Sequence, residues 1–248
     1  FSVYRYAFLI LSSILVFFFP IELEKKLGDF AYKALKEEIL DDTSLSSDQK
    51  NRVLQSYDIL LKSSSLSYKP VLAFHKSEIL GANALAFPGG PIVVTDDLVY
   101  LLGDKDLLAS VLAHELVHIE EQHSIKQLIR ILGLSTFGLL IFGSQEAIIE
   151  EFVLLSINLY ALKNSRHFEK QADLGALRLL ELSGLQKSSL RKALKKLSYH
   201  YCKKEKEDLG SCIEEQGIGW FSTHPSSKTR LDYLEDLIQT DDSNTGSK

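Results

Sequence analysis

Two histidines and a glutamate occur together in the segment His114-Glu115-Leu116-Val117-His118. Histidines four positions apart lie about 40° apart around an α-helix, so both imidazoles of this HExxH pattern can face one metal ion. Glu115 lies beside them, where a carboxylate can take a proton from a metal-bound water. A pattern this short also arises by chance in roughly a few per cent of chains of this length. The remaining ligands must therefore decide whether a zinc site exists.

A third ligand is available further along the chain. A catalytic zinc usually has three protein ligands, often two histidines and a glutamate, and an open position for water. Glu169 and Asp173 are four positions apart and share one face of a predicted helix. Glu169 can bind the zinc, and Asp173 can accept the outer N–H of a ligand histidine. Small Ala172 lets this helix approach another closely. The alternative is a solvated face on which Arg166 pairs with the carboxylates; the HExxH segment favours the zinc site.

A short strand is predicted before the HExxH helix. A Pro-Gly-Gly-Pro turn at 88–91 is followed by the β-branched run Ile92–Thr95. As an edge strand, this run could align an extended peptide by main-chain pairing at Ile92, Val93 and Val94. The alternative is a plain hairpin without a binding role.

The motifs of the chain occur in a recognisable order: NALAFPGG at 83–90, HELVH at 114–118, SRHFEKQAD at 165–173 and THPSSKTR at 223–230. This order resembles the HtpX-like, prenyl-protease-like and OMA-type zinc metallopeptidases, over roughly residues 70–237. The resemblance implies an α+β, mainly helical domain of the gluzincin type, with a small β-sheet edge next to the active-site helix. It also implies individual roles: His114, His118 and Glu169 as zinc ligands, Glu115 as general base, His224 as the group that stabilises the tetrahedral intermediate or caps a resting zinc, and Asn83 and Arg230 near the substrate.

The helix that carries HExxH is expected to begin at the cap residue Asp104 and to continue past Glu121. On such a continuous helix, His123 would lie about 140° around from His118. The sequence therefore gives no reason to count His123 as a ligand.

Composition limits the domain organisation and the partners. With 248 residues, 45% of them hydrophobic, the chain can bury one core of a single catalytic domain with appendages. The net charge of −5, with interspersed signs, argues against a nucleic-acid partner. The predicted units are a signal peptide or membrane anchor at 1–21, a helical segment at 22–66, the catalytic domain at 67–240 and a disordered tail at 241–248.

Two apolar regions suggest contact with a membrane. Ala7–Phe19 carries no charge, and its length fits a signal peptide or a short N-terminal hydrophobic helix. No small-x-small cleavage site follows, which favours an uncleaved anchor. The stretch 128–162 is a buried or surface-docking hairpin or a membrane-inserted element. Cys202 and Cys212 could form a disulfide in an exported protein or stay free thiols in the cytosol. We expect a membrane-associated or exported protein, most simply in a bacterial periplasm or envelope.

The sequence therefore predicts a zinc-dependent endopeptidase with one Zn²⁺ per chain, which acts on proteins or peptides in membrane or envelope quality control. An alternative is a latent protease that works mainly as a chaperone-like binding protein, with the zinc capped by His224. A purely structural zinc domain fits poorly, because such sites prefer four closed ligands rich in cysteine.

Overall fold

A computed structural model describes residues 19–128, 130, 165–205, 220–224 and 228–245 of the chain. In these ranges the protein is mainly helical with one small sheet, which confirms the predicted α+β class. The helices are α1 (Ile21–Ile39), α2 (Ser47–Ser63), α3 (Asp96–Leu102), α4 (Lys105–Glu120), α5 (Arg166–Leu182), α6 (Ser188–Glu205), α7 (Trp220–Thr223) and α8 (Lys228–Thr245). The strands are β1 (Asp41–Asp42), β2 (Leu72–Lys76), β3 (Ala84–Ala86) and β4 (Ile92–Thr95).

The sheet has the strand order β1-β2-β4-β3, so β4 is an internal strand. Ile92 is in register with Leu72 of the parallel strand β2 on one side and with Ala86 of the antiparallel strand β3 on the other. The prediction of an edge strand at Ile92, Val93 and Val94 is therefore wrong, because both sides of its main chain are already paired. The edges of the sheet are formed by β1 and β3 instead.

Helix α4 runs through the middle of the core. Every residue from Leu108 to Ile119 is buried, and α4 packs against α2, α5, α6 and β3. Asp104 caps its N-terminus by accepting hydrogen bonds from the main-chain N–H groups of Asp106 and Leu107. A helix that is buried all round holds its polar residues away from bulk water, which is the environment that a buried metal centre needs.

Helix α2 belongs to the same core. A reciprocal cap between Ser46 and Gln49 starts the helix. Val53, Tyr57 and Leu60 of α2 lie in one cluster with the buried residues of α4. The sequence boundary at residue 66 therefore does not separate α2 from the rest of the domain.

Helix α1 packs against the turn that joins β3 and β4. The carboxylate of buried Glu24 accepts hydrogen bonds from the Gly89 N–H at 3.0 Å and from Gln122 Nε2 at 2.7 Å. A Cβ at Gly28 would lie 2.0 Å from the Pro88 carbonyl oxygen, so only glycine allows this approach. These contacts tie α1 to the turn and to the end of α4.

Several predicted features lie wholly or partly outside the described residues: the apolar N-terminal segment up to residue 18, most of the stretch 128–162, and Cys212. Cys202 is buried and disulfide-bonded. Among the helices of the described ranges, none combines the length and the apolar content that crossing a membrane requires. Helix α8 continues to Thr245, into the segment 241–248 for which a disordered tail is predicted.

Candidate metal centre

Helix α4 delivers the three residues of the HExxH pattern. His114, Glu115 and His118 are all buried, and the Nε2 atoms of the two histidines lie 3.0 Å apart. The four-residue spacing places both rings on one side of the helix, as the sequence analysis expected. Both Nε2 atoms thus point into the same small space, and both Nδ1 atoms point outward.

Helix α5 brings the carboxylates to this space. Ser165 caps α5 by accepting a hydrogen bond from the Phe168 N–H. Glu169 has one oxygen 3.5 Å from His114 Nε2 and the other 3.5 Å from His118 Nε2. Asp173, one turn further on, lies with Oδ1 3.0 Å from the outer Nδ1 of His114. The structure therefore brings together Glu169 and Asp173 in the relation to the histidines that the sequence predicted.

His224 follows α7 and enters the same space from the other end of the chain. Its ring stacks on Trp220, with centroids 4.1 Å apart and planes inclined by 17°. Its Nδ1 lies 3.1 Å from Glu169 Oε1, and its Nε2 lies 3.3 Å from Glu115 Oε1. His224 thus contacts both the candidate ligand and the candidate base.

Four of these side chains can act as ligands of one metal ion. One donor atom each from His114, His118, Glu169 and His224 lies within 4.8 Å of the others, and all four residues are buried. Imidazole nitrogen and carboxylate oxygen are donors that zinc accepts in catalytic sites. The donor set therefore fits a zinc ion, with His224 as the residue that can close or leave the fourth position.

Arg230 of α8 supports the carboxylates from behind. It donates to both oxygens of Asp173, from Nη2 at 2.7 Å and from Nε at 2.9 Å, and to Glu169 Oε2 from Nη1 at 2.6 Å. The Tyr233 hydroxyl also donates to Asp173. Arg230 is itself buried and paired with these acids, and a substrate contact at Arg230 stays a prediction. Its charge is used inside the protein, to hold and balance the two acids.

The two glutamates of the site respond differently to burial. Burial alone would raise the pKa of Glu169, but the charges of His224 and Arg230 and hydrogen bonds from the two α4 histidines outweigh it and lower that pKa well below its usual value. Burial also raises the pKa of Glu115, and here His224 and His114 oppose the rise only in part. Glu169 is therefore a carboxylate, while Glu115 is the more basic group and is suited to accept a proton.

The two α4 histidines also differ. Burial lowers the pKa of His118 to about 3, which leaves its ring neutral, the form that binds metal. Burial would lower the pKa of His114 too, but hydrogen bonds to Asp173 and Glu169 raise it to about 9. A metal ion at His114 must therefore displace a proton.

Comparison with known proteins agrees with this geometry. The family model described as peptidase family M48 matches residues 47–238. The chain belongs to this family. The prediction of a zinc metalloendopeptidase is thereby confirmed, as is the zinc cofactor of M48 peptidases. The matched range begins at α2 and includes every residue of the site described above.

Two curated relatives of this M48 peptidase carry the name mitochondrial metalloendopeptidase OMA1. The protein from Schizosaccharomyces pombe is 25% identical over 229 residues, which are 88% of this chain and 62% of the relative. The protein from Saccharomyces cerevisiae is 24% identical over 152 residues, which are 61% of this chain and 42% of the relative. The chain thus spans less than two thirds of the length of either.

The sequence analysis gave no reason to place His123 at the metal centre, but the structure brings it there. The helix does not continue past Glu121 as expected: α4 ends at Glu120, and Gln122 adopts the left-handed conformation with φ 50°. Beyond this break His123 is buried, with its Nδ1 2.9 Å from the outer Nδ1 of His118. Helical periodicity could not reveal this contact, because it holds only for an unbroken helix.

Asn83, predicted to lie near the substrate, is found just before β3. Its side chain is buried, and neither amide atom has a hydrogen-bond partner among the described residues. Its main-chain N–H donates to Thr95 Oγ1 at 2.8 Å, and its carbonyl accepts from the Thr95 N–H at 3.0 Å. These bonds fix Asn83 at the start of the sheet edge, and a role toward substrate stays a prediction.

Proposed function

We propose that this protein hydrolyses internal peptide bonds of membrane or envelope proteins, by means of a water molecule that Glu115 activates at a zinc held by His114, His118 and Glu169. The observation that carries the proposal is the convergence of these buried donors with Glu115 beside them. In the same proposal, this cleavage serves membrane or envelope protein quality control.

The bound zinc would act as a Lewis acid that lowers the pKa of a water molecule and polarises the scissile carbonyl. The protein's own part begins with Glu115, whose carboxylate takes the proton of the water and delivers it to the leaving amine. The raised pKa of Glu115 suits both halves of this task, because the group must gain and then lose the proton. The main chain of Ala86 lies near this carboxylate and opposes part of the rise in the pKa of Glu115.

The edge strand β3 is the better candidate for aligning the substrate. Asn83 and Phe87 exchange hydrogen bonds with the β4 side. Backbone groups alternate along an antiparallel ladder, so those of Ala84 and Ala86 point to the other side. The main chain of Ala86 on that side lies near Glu115, the candidate base, and lowers its pKa. An extended peptide paired to β3 would therefore pass Glu115.

His224 can serve this chemistry in two opposite ways. As a hydrogen-bond donor to the developing oxyanion it would raise the rate, and removal of such a donor costs roughly 10²–10³-fold in kcat. As a fourth zinc ligand it would close the position that the water needs. In the second role, the protein would be a latent protease that works mainly as a chaperone-like binding protein. The inclusion of His224 in the donor group supports this alternative.

The test of the proposal is metal content and casein cleavage for wild type, Glu115→Gln and the control Glu121→Gln. Glu121 is an exposed glutamate at the end of the same helix. We expect one zinc in each protein, and cleavage lost by about 10²–10⁴-fold only in Glu115→Gln. Normal turnover by Glu115→Gln would refute its role as base, and a wild type without bound zinc would refute the site.

The two roles of His224 are separated by His224→Ala. A lower cleavage rate with unchanged zinc content indicates a catalytic donor. A higher rate indicates that His224 caps a resting zinc, and the latent protease then replaces the active endopeptidase as the proposed function.

Association with a membrane is proposed from the uncharged run at Ala7–Phe19. The expected result is that the full chain sediments with membranes and resists extraction by salt, whereas residues 22–248 do not. Release of the full chain by salt alone would contradict an apolar anchor. The compartment, whether bacterial envelope or organelle, is read from the same fractionation.

A further inference from the structure

The two histidines of the HExxH segment have different partners on their outer nitrogens. His114 Nδ1 lies 3.0 Å from a carboxylate oxygen of Asp173. His118 Nδ1 lies 2.9 Å from Nδ1 of His123. Ligand histidines commonly donate this outer N–H to a group that fixes the ring. His123 thus occupies, for His118, the place that Asp173 occupies for His114.

His123 reaches this place because the helix is broken. On a continuous helix its side chain would lie about 140° around from His118. The left-handed Gln122 interrupts α4, and the chain becomes helical again from His123. The Gln122 side chain is held by Glu24 of α1 at 2.7 Å. The break and its anchor together turn His123 back toward the metal centre.

The ring of His123 is held by stacking. It lies on Phe168 of α5, with centroids 4.5 Å apart and planes inclined by 20°. The Arg130 guanidinium lies 4.3 Å from the centroid of the same phenyl ring. Phe168 immediately precedes Glu169, so the helix that delivers the third ligand also fixes His123. This packing leaves the His123 ring little freedom to turn away.

Proton accounting assigns the direction of the contact. A neutral imidazole has one N–H and one acceptor nitrogen. If His118 binds zinc through Nε2, its proton is on Nδ1, and Nδ1 of His123 must be the acceptor. The proton of His123 is then on Nε2, which has no hydrogen-bond partner among the described residues.

We propose that His123 is a positioning residue of the metal centre, which accepts the Nδ1 proton of His118 and so directs the Nε2 lone pair of His118 at the zinc. This inference rests on the proposed function, because it assumes zinc at His118. A neutral acceptor also adds no charge to a site that already holds three acids, Glu115, Glu169 and Asp173. The cost of removing such an outer partner is typically 10–100-fold in metal affinity.

The decisive comparison is His123→Asn with His123→Leu in the full chain. The two side chains are similar in size, and only asparagine keeps an acceptor near the position of Nδ1. The control is His167→Ala, which removes an exposed histidine of α5. Zinc affinity is measured by competition with a chelator of known affinity, and the Co²⁺-substituted proteins are compared by absorption spectra.

We expect His123→Leu to lose about 10–100-fold in zinc affinity and to change the Co²⁺ spectrum, and His123→Asn and His167→Ala to stay close to wild type. Equal loss in Asn and Leu would overturn the inference, because the ring would then matter only for packing. No loss in either would overturn it as well. If wild type itself bound no zinc, the proposed function would fail first and this inference with it. Thermal unfolding of the metal-free variants shows whether a difference in zinc affinity comes only from a loss of folding stability.

Discussion

The two helices of the site approach each other closely where Gly175 of α5 faces Val117 of α4, next to His118. A Cβ added at Gly175 would lie 2.7 Å from Val117 Cγ1 and 2.9 Å from Cγ2. Carbon atoms in contact are normally about 3.5–4.0 Å apart, and valine in a helix has one strongly preferred rotamer. Gly175→Ala must therefore push α5 away from α4.

The expected free energies follow from this geometry. Overpacking of a core costs about 1–3 kcal/mol, while alanine gains up to about 1 kcal/mol over glycine inside a helix. Val117→Ala removes both clashing carbons and costs about 1.6 kcal/mol, at about 0.8 kcal/mol for each. In that background Gly175→Ala should stabilise the protein. The two changes should therefore couple favourably, by about 1–3 kcal/mol.

The assay is urea unfolding of wild type, both single variants and the double variant, together with zinc affinity by chelator competition. Since α5 carries Glu169, Gly175→Ala should weaken zinc binding, and the added Val117→Ala should restore it. The reasoning is refuted if Gly175→Ala has the same effect on stability in both backgrounds, with coupling below about 0.5 kcal/mol. Unchanged zinc affinity in Gly175→Ala would show that the helix spacing does not control the site.

Two further predictions concern buried charges. Arg230→Met leaves Glu169 and Asp173 without their cation and should destabilise the metal-free protein by about 3–5 kcal/mol. Urea unfolding with and without zinc should show a smaller loss of stability in the zinc form. Equal losses of stability in both forms would contradict a charge effect. Burial raises the pKa of Glu24, so its contribution to stability is present below the unfolded pKa of about 4.3 and is lost as pH rises through the raised value. Glu24→Gln should therefore gain stability relative to wild type from acid to neutral pH, and parallel unfolding curves across that range would contradict this.

The sequence was sufficient where the chemistry depends on short spacings. His114 and His118 share a helix face because of their four-residue separation, and Glu169 and Asp173 do so for the same reason. The cap at Asp104 follows from the preference of aspartate for that position. Local backbone geometry fixes such relations, whatever the rest of the chain does.

The structure was needed where partners come from distant parts of the chain. The strand order makes β4 internal, because β2 pairs with it although the two strands are separated in sequence. The turn at 88–91 gives no sign of this pairing. Arg230 reaches Asp173 and Glu169 only once α8 has packed against α6. His123 reaches His118 only because Gln122 breaks the helix.

By itself, then, the sequence determined the class of the enzyme, its zinc chemistry and the candidate ligands, because regular helices convert residue spacing into direction. Only the tertiary structure decided which strand forms the sheet edge, which charge balances the acids and which group supports His118. Those relations depend on long-range packing and on one break in helical geometry, and residue spacing carries no information about either.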